Sequence, residues 1–215
     1  MNRRLVLWRH GRTQWNLDHR FQGQLDVPLD EAGLAQAAAA AKQLAQLPPT
    51  AIISSDLGRA QVTAGHLAAL TGLPVMLDER LRETYAGGWQ GLERDELVAK
   101  YSDELALWAG GSDLRPGGGE RRSEVAARMV AAIDEALADI PDGGTLVVAT
   151  HGGAARAAVG ELLRLPVEHW SILGVLTNCA WSVLSERPDA AGTIGWRLEE
   201  YNARSLPETA FGDDR

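Results

Sequence analysis

Two histidine–glycine pairs in this sequence each follow directly on a predicted buried strand. His10 and Gly11 come after the first apolar run of the chain, and His151 and Gly152 come after "TLVVAT". Gly11 would permit a sharp backbone turn, and its lack of a side chain would leave space around His10. A neutral imidazole can attack phosphorus, and histidine forms covalent intermediates in enzymes. Two imidazoles at two strand ends therefore predict a site for group transfer.

Two arginines and a carboxylate also lie at, or soon after, the ends of predicted strands. Arg9 directly precedes His10, Arg59 lies in the first turn of the helix after "AIISS", and Glu83 follows the strand "PVMLD". Arginine binds phosphate oxygens bidentately and stays charged at any working pH. A carboxylic acid can protonate a leaving oxygen. Together these residue types indicate phosphoryl transfer.

The sequence contains no spacing typical of metal ligands. The histidines are not separated as in a zinc pair, and a single cysteine, Cys179, cannot form a cluster. We therefore expect arginines and histidines to stabilise the phosphoryl charge, with neither a metal ion nor another cofactor. One cysteine also cannot form an internal disulfide, which suits a reducing cytoplasm.

Alternating strands and helices must position these residues. Strands are predicted at "RLVLW", "AIISS", "PVMLD" and "GTLVVAT", helices at 29–47, 57–72, 123–140 and 152–165, and a late hairpin at 178–186 and 192–202. This alternation predicts an α/β fold of three layers, α/β/α, with a largely parallel central sheet. In such sheets ligands bind beyond the carboxyl ends of the strands.

The chain length of 215 residues fits a single domain over 1–215. Glycines cluster around a helical stretch at 94–108, so a short lid-like insertion is expected at about 90–120. No run is long enough to span a membrane and the N-terminus does not resemble a signal peptide, so we expect a cytoplasmic protein without a membrane partner.

The balance of acidic and basic residues indicates which kinds of partner the protein can bind. With 21 Lys and Arg against 29 Asp and Glu, the formal net charge is -8, which argues against nucleic acid. Clustered arginines can still create a local positive field, so a small anionic substrate is compatible with this charge. A homodimer is left open.

"RHGRTQWN", from Arg9 to Asn16, resembles the signature of the histidine phosphatase superfamily, also called the phosphoglycerate mutase-like family. "RFQGQLDVPLDEAG", "SSDLGRAQVTA", "LRETYAGGWQGL", "PGGGERRSEVAAR" and "THGG" follow in family order, so the resemblance covers nearly the whole chain. It implies that His10 is the phosphorylated nucleophile and that Glu83 is the proton donor. The phosphoryl group would be held by Arg9, Arg59 and His151.

The resemblance assigns four further residues to substrate binding. Asn16, Gln22 and Gly23 fall where the family lines its phosphate pocket, and Gly152 follows the second histidine. Specificity is expected from Trp15, Gln22, Trp89 and the stretch 100–122. The distal segments "LPVEHWSILGVLTNCAWSVLSE" and "WRLEEYNARS" resemble actinobacterial phosphatases of the glucosyl-3-phosphoglycerate type.

The function implied is a phosphatase that hydrolyses a small phosphate monoester, such as a sugar phosphate or a phosphoglycerate derivative, through a phosphohistidine. The first alternative is a cofactor-dependent phosphoglycerate mutase. Mutases carry Asn where Gly153 stands and have a longer insertion, so the phosphatase is favoured. A non-catalytic phospho-ligand binding module is the second alternative, which the intact set of core residues disfavours.

Arg121 departs from the family pattern, which has serine at this position. A cation at a helix N-terminus opposes the helix dipole. Either Arg121 points into the cleft, or the helix starts later with Ser123 as its cap. We favour the later start.

Overall fold

A six-stranded sheet forms the centre of the structure. The computed structural model describes residues 2–188 and 194–204. In chain order the strands are β1 (Arg4–Arg9), β2 (Ala51–Ser54), β3 (Val75–Leu77), β4 (Thr145–Thr150), β5 (Trp181–Pro188) and β6 (Ile194–Ala203).

The strands lie in the order β3-β2-β4-β1-β5-β6. The first four in this order run parallel, while β5 is antiparallel to β1 and β6 is antiparallel to β5. The largely parallel sheet and the pairing of the late hairpin are therefore confirmed. The first two residues of the predicted second hairpin strand, 192–193, lie outside the described residues.

Helices connect the strands. Those of the described residues are α1 (Gln14–Leu17), α2 (Glu31–Leu44), α3 (Gly58–Thr71), α4 (Arg94–Ala109), α5 (Arg122–Ala138) and α6 (Gly152–Leu162). Local chemistry sets their ends: Asp30 accepts a hydrogen bond from the backbone N–H of Gly33 at 2.7 Å and caps α2. Gly72, with φ of 72°, ends α3 in the left-handed conformation.

The hydrophobic core is divided between the two faces of the sheet. Leu5 and Leu7 of β1 pack in a cluster with residues of α5 and α6, whereas Val6 and Trp8 pack in a second cluster with residues of α2 and α3. Alternate residues of a strand point to opposite faces, so one strand serves both clusters. The predicted three-layer α/β/α arrangement is thereby confirmed.

The stretch predicted as an insertion contains α4 and shares a small aromatic core with Trp89 and Phe21, which lie outside it. Trp89 and Leu97 are buried there, packed against Phe21, Tyr101 and Trp108. Trp89 and Trp108 meet edge to face, with ring centroids 5.7 Å apart. The stretch thus has an aromatic anchor, and its behaviour as a lid stays a prediction.

The start of α5 differs from both expectations for Arg121. Ser123 does not cap the helix: its hydroxyl donates to Oδ2 of Asp113 at 2.6 Å, and Oδ1 of Asp113 accepts from the Ser123 N–H. Arg121 is exposed and donates to the Asp113 carbonyl. The neighbouring Arg122 is the buried one, with its guanidinium carbon 4.5 Å from the ring centroid of Trp108.

Candidate active site

The candidate site lies beyond the carboxyl ends of β1 and β4. His10 follows β1, and its N–H donates to the carbonyl of Thr150 at 3.0 Å, which extends the strand pairing by one residue. His151 follows β4 directly. The ring centroids of His10 and His151 are 5.2 Å apart. The fold therefore brings together two imidazoles that are 141 residues apart in the sequence.

The ring of His10 is oriented by its neighbour. Nδ1 lies 2.7 Å from the carbonyl oxygen of Gly11, and a carbonyl only accepts, so Nδ1 carries the proton and Nε2 keeps its lone pair. Burial, and after it the charges of Arg59 and Arg9, lowers the pKa of His10 well below its ordinary value. His10 is therefore neutral near pH 7, as a nucleophile must be.

His151 is fully buried beside His10 and is held by Ser55, a residue that the sequence analysis did not select. Its Nε2 lies 2.9 Å from the Ser55 hydroxyl, and its Nδ1 has no hydrogen-bond partner among the described residues. The Leu57 N–H donates to one lone pair of the same hydroxyl oxygen, and the Ser55 proton can point to Nε2, in which case Nδ1 carries the ring proton of His151. Burial, followed by the nearby positive charges, lowers the pKa of His151.

Two buried arginines form the cationic floor of the site. Arg59 donates to the carbonyls of Gly23 and Leu25, each at 2.7 Å, and so ties this loop to α3. Burial lowers the pKa of Arg59 to about 10, while the Glu83 carboxylate opposes the shift. Arg59 therefore remains charged at neutral pH. Arg9 donates to the carbonyl of Leu176 at 2.5 Å.

The glycines of the site make room for other groups. A Cβ on Gly11 would lie 2.4 Å from the carbonyl oxygen of Gly33, so this glycine permits the close approach of α2. A Cβ on Gly152 would meet the Arg9 guanidinium at 3.3 Å. Gly23 has a φ of 54°, and a Cβ there would collide with the side chain of Gln90.

Glu83 reaches the N-terminus of α6. Its carboxylate accepts from the N–H groups of Gly153 and Ala154, each at 2.9 Å, and from that of Thr84 at 2.7 Å. The first N–H groups of a helix have no partner within the helix, so a carboxylate satisfies them. A Cβ on Gly153 would lie 2.8 Å from Oε1 of Glu83, so glycine at 153 allows this placement.

Asn16 and Gln22 also border the site. Oδ1 of Asn16 accepts from the Thr13 N–H at 3.0 Å and from the amide of Asn178 at 3.1 Å. Since the oxygen is used in this way, the NH₂ of Asn16 is the end suited to an acceptor. Oε1 of Gln22 is buried and has no hydrogen-bond partner among the described residues.

These residues line one pocket, the main pocket, together with side chains that the sequence analysis did not select. Of the predicted site residues, all except His151 line its wall, and His151 is fully buried beside His10. Trp15 and Gln22 line it as expected for specificity residues, whereas Trp89 is fully buried outside it. Leu105 and Trp108 line it from the stretch 100–122, as expected, and the further lining residues include Arg20, Phe21, Thr84, Arg94, Gly153 and Arg156.

The charge of the main pocket is opposite to that of the whole chain. Its described lining carries five arginines and a single carboxylate, that of Glu83, although the net charge of the protein is -8. Among the described residues, no cluster of three His, Cys, Asp or Glu side chains is placed to hold a metal ion. The pocket is thus suited to an anion bound by arginine.

Within residues 2–188 and 194–204, no helix combines the length and the apolar character of a membrane span.

Comparison with known proteins gives one family. Residues 5–203 match the histidine phosphatase superfamily (branch 1). The chain is similar to glucosyl-3-phosphoglycerate phosphatase of Mycobacterium tuberculosis, with 42% identity over 211 residues that cover 94% of this chain and 95% of the relative. A probable phosphoglycerate mutase of Yersinia pestis is 36% identical over 196 residues, which cover 91% and 90% of the two chains.

A solved structure agrees with these relatives. The mycobacterial glucosyl-3-phosphoglycerate phosphatase in complex with VO3 has a TM-score of 0.87 and 43% identity to this chain. The match covers 94% of this chain and 99% of that one. The likeness therefore extends over nearly the whole chain.

Proposed function

This chain belongs to the histidine phosphatase superfamily and hydrolyses phosphate monoesters, and we propose that its substrate is a sugar-bearing phosphoglycerate of the glucosyl-3-phosphoglycerate class. The observation that carries the mechanism is the buried His10 ring, 5.2 Å from that of His151, in a pocket lined by Arg9 and Arg59. Glu83 lines the same pocket.

In the first step, Nε2 of His10 attacks phosphorus and the bond from phosphorus to the ester oxygen breaks. The ester oxygen takes a proton from the Glu83 carboxyl group, so the leaving group departs as an alcohol. Arg9, Arg59 and the Nδ1–H of His151 bind the phosphoryl oxygens and stabilise their charge in the transition state. The amide of Asn16 adds a further donor.

In the second step, water attacks the phosphorus of phospho-His10. Glu83, now ionised, takes the proton of this water, and the bond from phosphorus to Nε2 breaks. Inorganic phosphate leaves, and both side chains return to their starting forms. No step needs a metal ion, because the guanidinium groups supply the positive charge and the His151 ring supplies a neutral N–H donor.

Three features support a sugar-bearing substrate. The named phosphatase relatives act on such a compound. The main pocket has aromatic walls at Trp15, Phe21 and Trp108, and aromatic side chains bind well to partly apolar surfaces such as sugar faces. Arg20 and Arg94 add donors on the pocket wall for hydroxyl or acidic groups.

The mutase is the weaker alternative. The mutase relatives have lower sequence identity to this chain than the phosphatase relatives have. A side chain in place of Gly153 would also collide with Glu83 as it is placed here. A mutase would convert 3-phosphoglycerate into its 2-phospho isomer without net release of phosphate, and this difference can be assayed.

The test is a panel of phosphate monoesters assayed in EDTA, including glucosyl-3-phosphoglycerate, 3-phosphoglycerate, hexose phosphates and nucleoside monophosphates. We expect phosphate release to be fastest with glucosyl-3-phosphoglycerate. His10→Ala should abolish turnover and acid-labile, base-stable labelling of the enzyme, whereas the exposed His169→Ala should keep both.

Two results would contradict the proposal. Label on His151 or on a serine would overturn the assignment of the nucleophile, and activity lost in EDTA but restored by magnesium would overturn the metal-free mechanism. The cytoplasmic location and the homodimer stay predictions from the sequence.

A further inference from the structure

Arg156 is a buried cation in the pocket wall to which the mechanism gives no role. It lies on α6, one turn after Gly153, and its exposed fraction is 8%. It lines the main pocket and also a small neighbouring cavity, here called the side cavity. Thr84, Trp108, Gly153 and Arg156 line both spaces, so Arg156 lies where the two meet.

The position of Glu83 shows which side of the substrate Arg156 would face. The Gly153 N–H binds the Glu83 carboxylate at 2.9 Å, and residues three apart on a helix are neighbours on one face. In the proposed mechanism Glu83 protonates the ester oxygen, so the leaving group begins beside it. Arg156 therefore lies on the side of the pocket where Glu83 meets the leaving group.

The side cavity favours a second anion there. The described residues that line it include two arginines, Arg156 and Arg122, and no acidic side chain. Arg122 is itself 7% exposed and donates to the carbonyl of Trp108 at 2.6 Å, which holds it in place. Guanidinium groups in a recess of low polarity attract a carboxylate more strongly than they would in water.

We propose that Arg156 binds the carboxylate of the glycerate leaving group, so that the enzyme recognises a second anion beyond the phosphoryl group. The inference rests on the proposed function. In a 3-phosphoglycerate ester only two carbons separate the ester oxygen from the carboxylate carbon. This short separation suits two recognition groups that are about one helical turn apart. Glu83 is bound to the Gly153 N–H, and Arg156 lies three residues further along α6.

The test compares 3-phosphoglycerate with glycerol 3-phosphate, which shares the three-carbon ester but has a hydroxymethyl group in place of the carboxylate. Phosphate release is measured for the wild type, Arg156→Gln, Arg156→Lys and the exposed control Arg197→Gln. We expect Arg156→Gln to lower kcat/KM for 3-phosphoglycerate by about 10- to 100-fold. Glycerol 3-phosphate should be nearly unaffected, and the control should match the wild type with both.

Arg156→Lys keeps the charge but loses the bidentate geometry, so it should fall between the wild type and Arg156→Gln. It also provides the test if the glutamine variant fails to fold. Equal slowing of both substrates by either folded variant, or a wild type without preference for 3-phosphoglycerate, overturns the role of Arg156. Failure of the wild type to release phosphate from any ester, p-nitrophenyl phosphate included, would instead overturn the proposed function.

Discussion

At the scale of single residues, the two histidines differ in the ring nitrogen that they leave for the phosphoryl group. His10 is bound through Nδ1 to the Gly11 carbonyl, whereas His151 is bound through Nε2 to Ser55. The first arrangement leaves a lone pair, and the second, with Ser55 as the donor, leaves an N–H. One ring is thus prepared to attack and the other to donate.

Ser55 should therefore matter through His151. Ser55→Ala removes the hydroxyl that sets the tautomer of His151, so the Nδ1–H is no longer held toward the phosphoryl group. We expect kcat to fall by about 5- to 30-fold, the loss of roughly 1–2 kcal/mol from one hydrogen bond in the transition state. KM should change little, and nitrogen NMR shifts should report a mixed tautomer at His151.

The control for this prediction is Ser54→Ala. The Ser54 hydroxyl is also buried, but it donates to the Ser55 carbonyl. Equal losses of kcat in both variants would mean that Ser55 acts only through the stability of the strand end.

Glu83 can be tested by the quality of the leaving group. Glu83→Gln keeps the shape but removes the transferable proton, so an alkyl phosphate should be hydrolysed about 10²–10⁴-fold more slowly. p-Nitrophenyl phosphate leaves as a stable phenolate, so its burst of phosphorylation should slow far less. Pre-steady-state bursts are required, because Glu83 also acts in the second step.

The exposed Glu79→Gln, on the same segment, is the matched control and should leave both bursts unchanged. Equal slowing of the two bursts by Glu83→Gln would show that Glu83 positions the phosphate or His10 and does not donate a proton.

At the scale of elements, one side chain of α5 holds the loop that carries Glu83. Arg128 donates to the carbonyls of Arg80 and Arg82 at 2.7 Å and of Glu83 at 3.0 Å, and it pairs with Glu120 at 2.8 Å. A loop whose carbonyls are bound in this way has fewer conformations. The contacts therefore link the packing of α5 to the position of the proton donor.

Replacement of Arg128 should loosen this loop. We expect Arg128→Met to lower the free energy of unfolding by roughly 2–4 kcal/mol, because several partly buried acceptors lose their donor. Amide hydrogen exchange at 80–84 should become faster, and kcat should fall more for alkyl than for aryl phosphates. Arg115→Gln breaks an exposed ion pair with Glu124 and should cost less than about 1 kcal/mol. Unchanged exchange at 80–84 would contradict the prediction.

At the scale of the whole molecule, burial of the site links stability to pH. Burial lowers the pKa of both His10 and His151 in the folded state. Below about pH 6.5 the unfolded chain binds protons that the folded chain does not, so stability is full above this pH and falls as the pH decreases. Each histidine contributes up to about 1.4 kcal/mol per pH unit.

Urea unfolding at pH 7.5, 6.0 and 5.0 measures this contribution. His10→Gln should lose less stability toward pH 5 than the wild type, because one of the two buried titrating groups is gone. The exposed His169→Gln should follow the wild type. The same pH dependence in His10→Gln and the wild type would contradict the assignment of a neutral, buried His10.

The sequence by itself determined the sheet and where its strand-end residues would gather. Short apolar runs that alternate with segments of helical periodicity predict parallel strands. The carboxyl ends of parallel strands lie along one edge of the sheet. His10, His151, Arg59 and Glu83 were therefore expected near one another, and the structure places them so. The roles of these side chains came from the family resemblance and stay proposals.

Only the tertiary structure decided which groups hold the site residues. The contact of His151 with Ser55 joins positions 96 apart in the chain, and no local spacing indicates such a pair. The same holds for Asp113, which binds the start of α5 where Ser123 was expected to act as the cap. Trp89 was expected at the pocket and is buried in the aromatic cluster, whereas Arg156, on the helix after β4, lines it. The physical reason is that burial and hydrogen-bond partners depend on which elements pack together, and periodicity along one element contains no information about its neighbours.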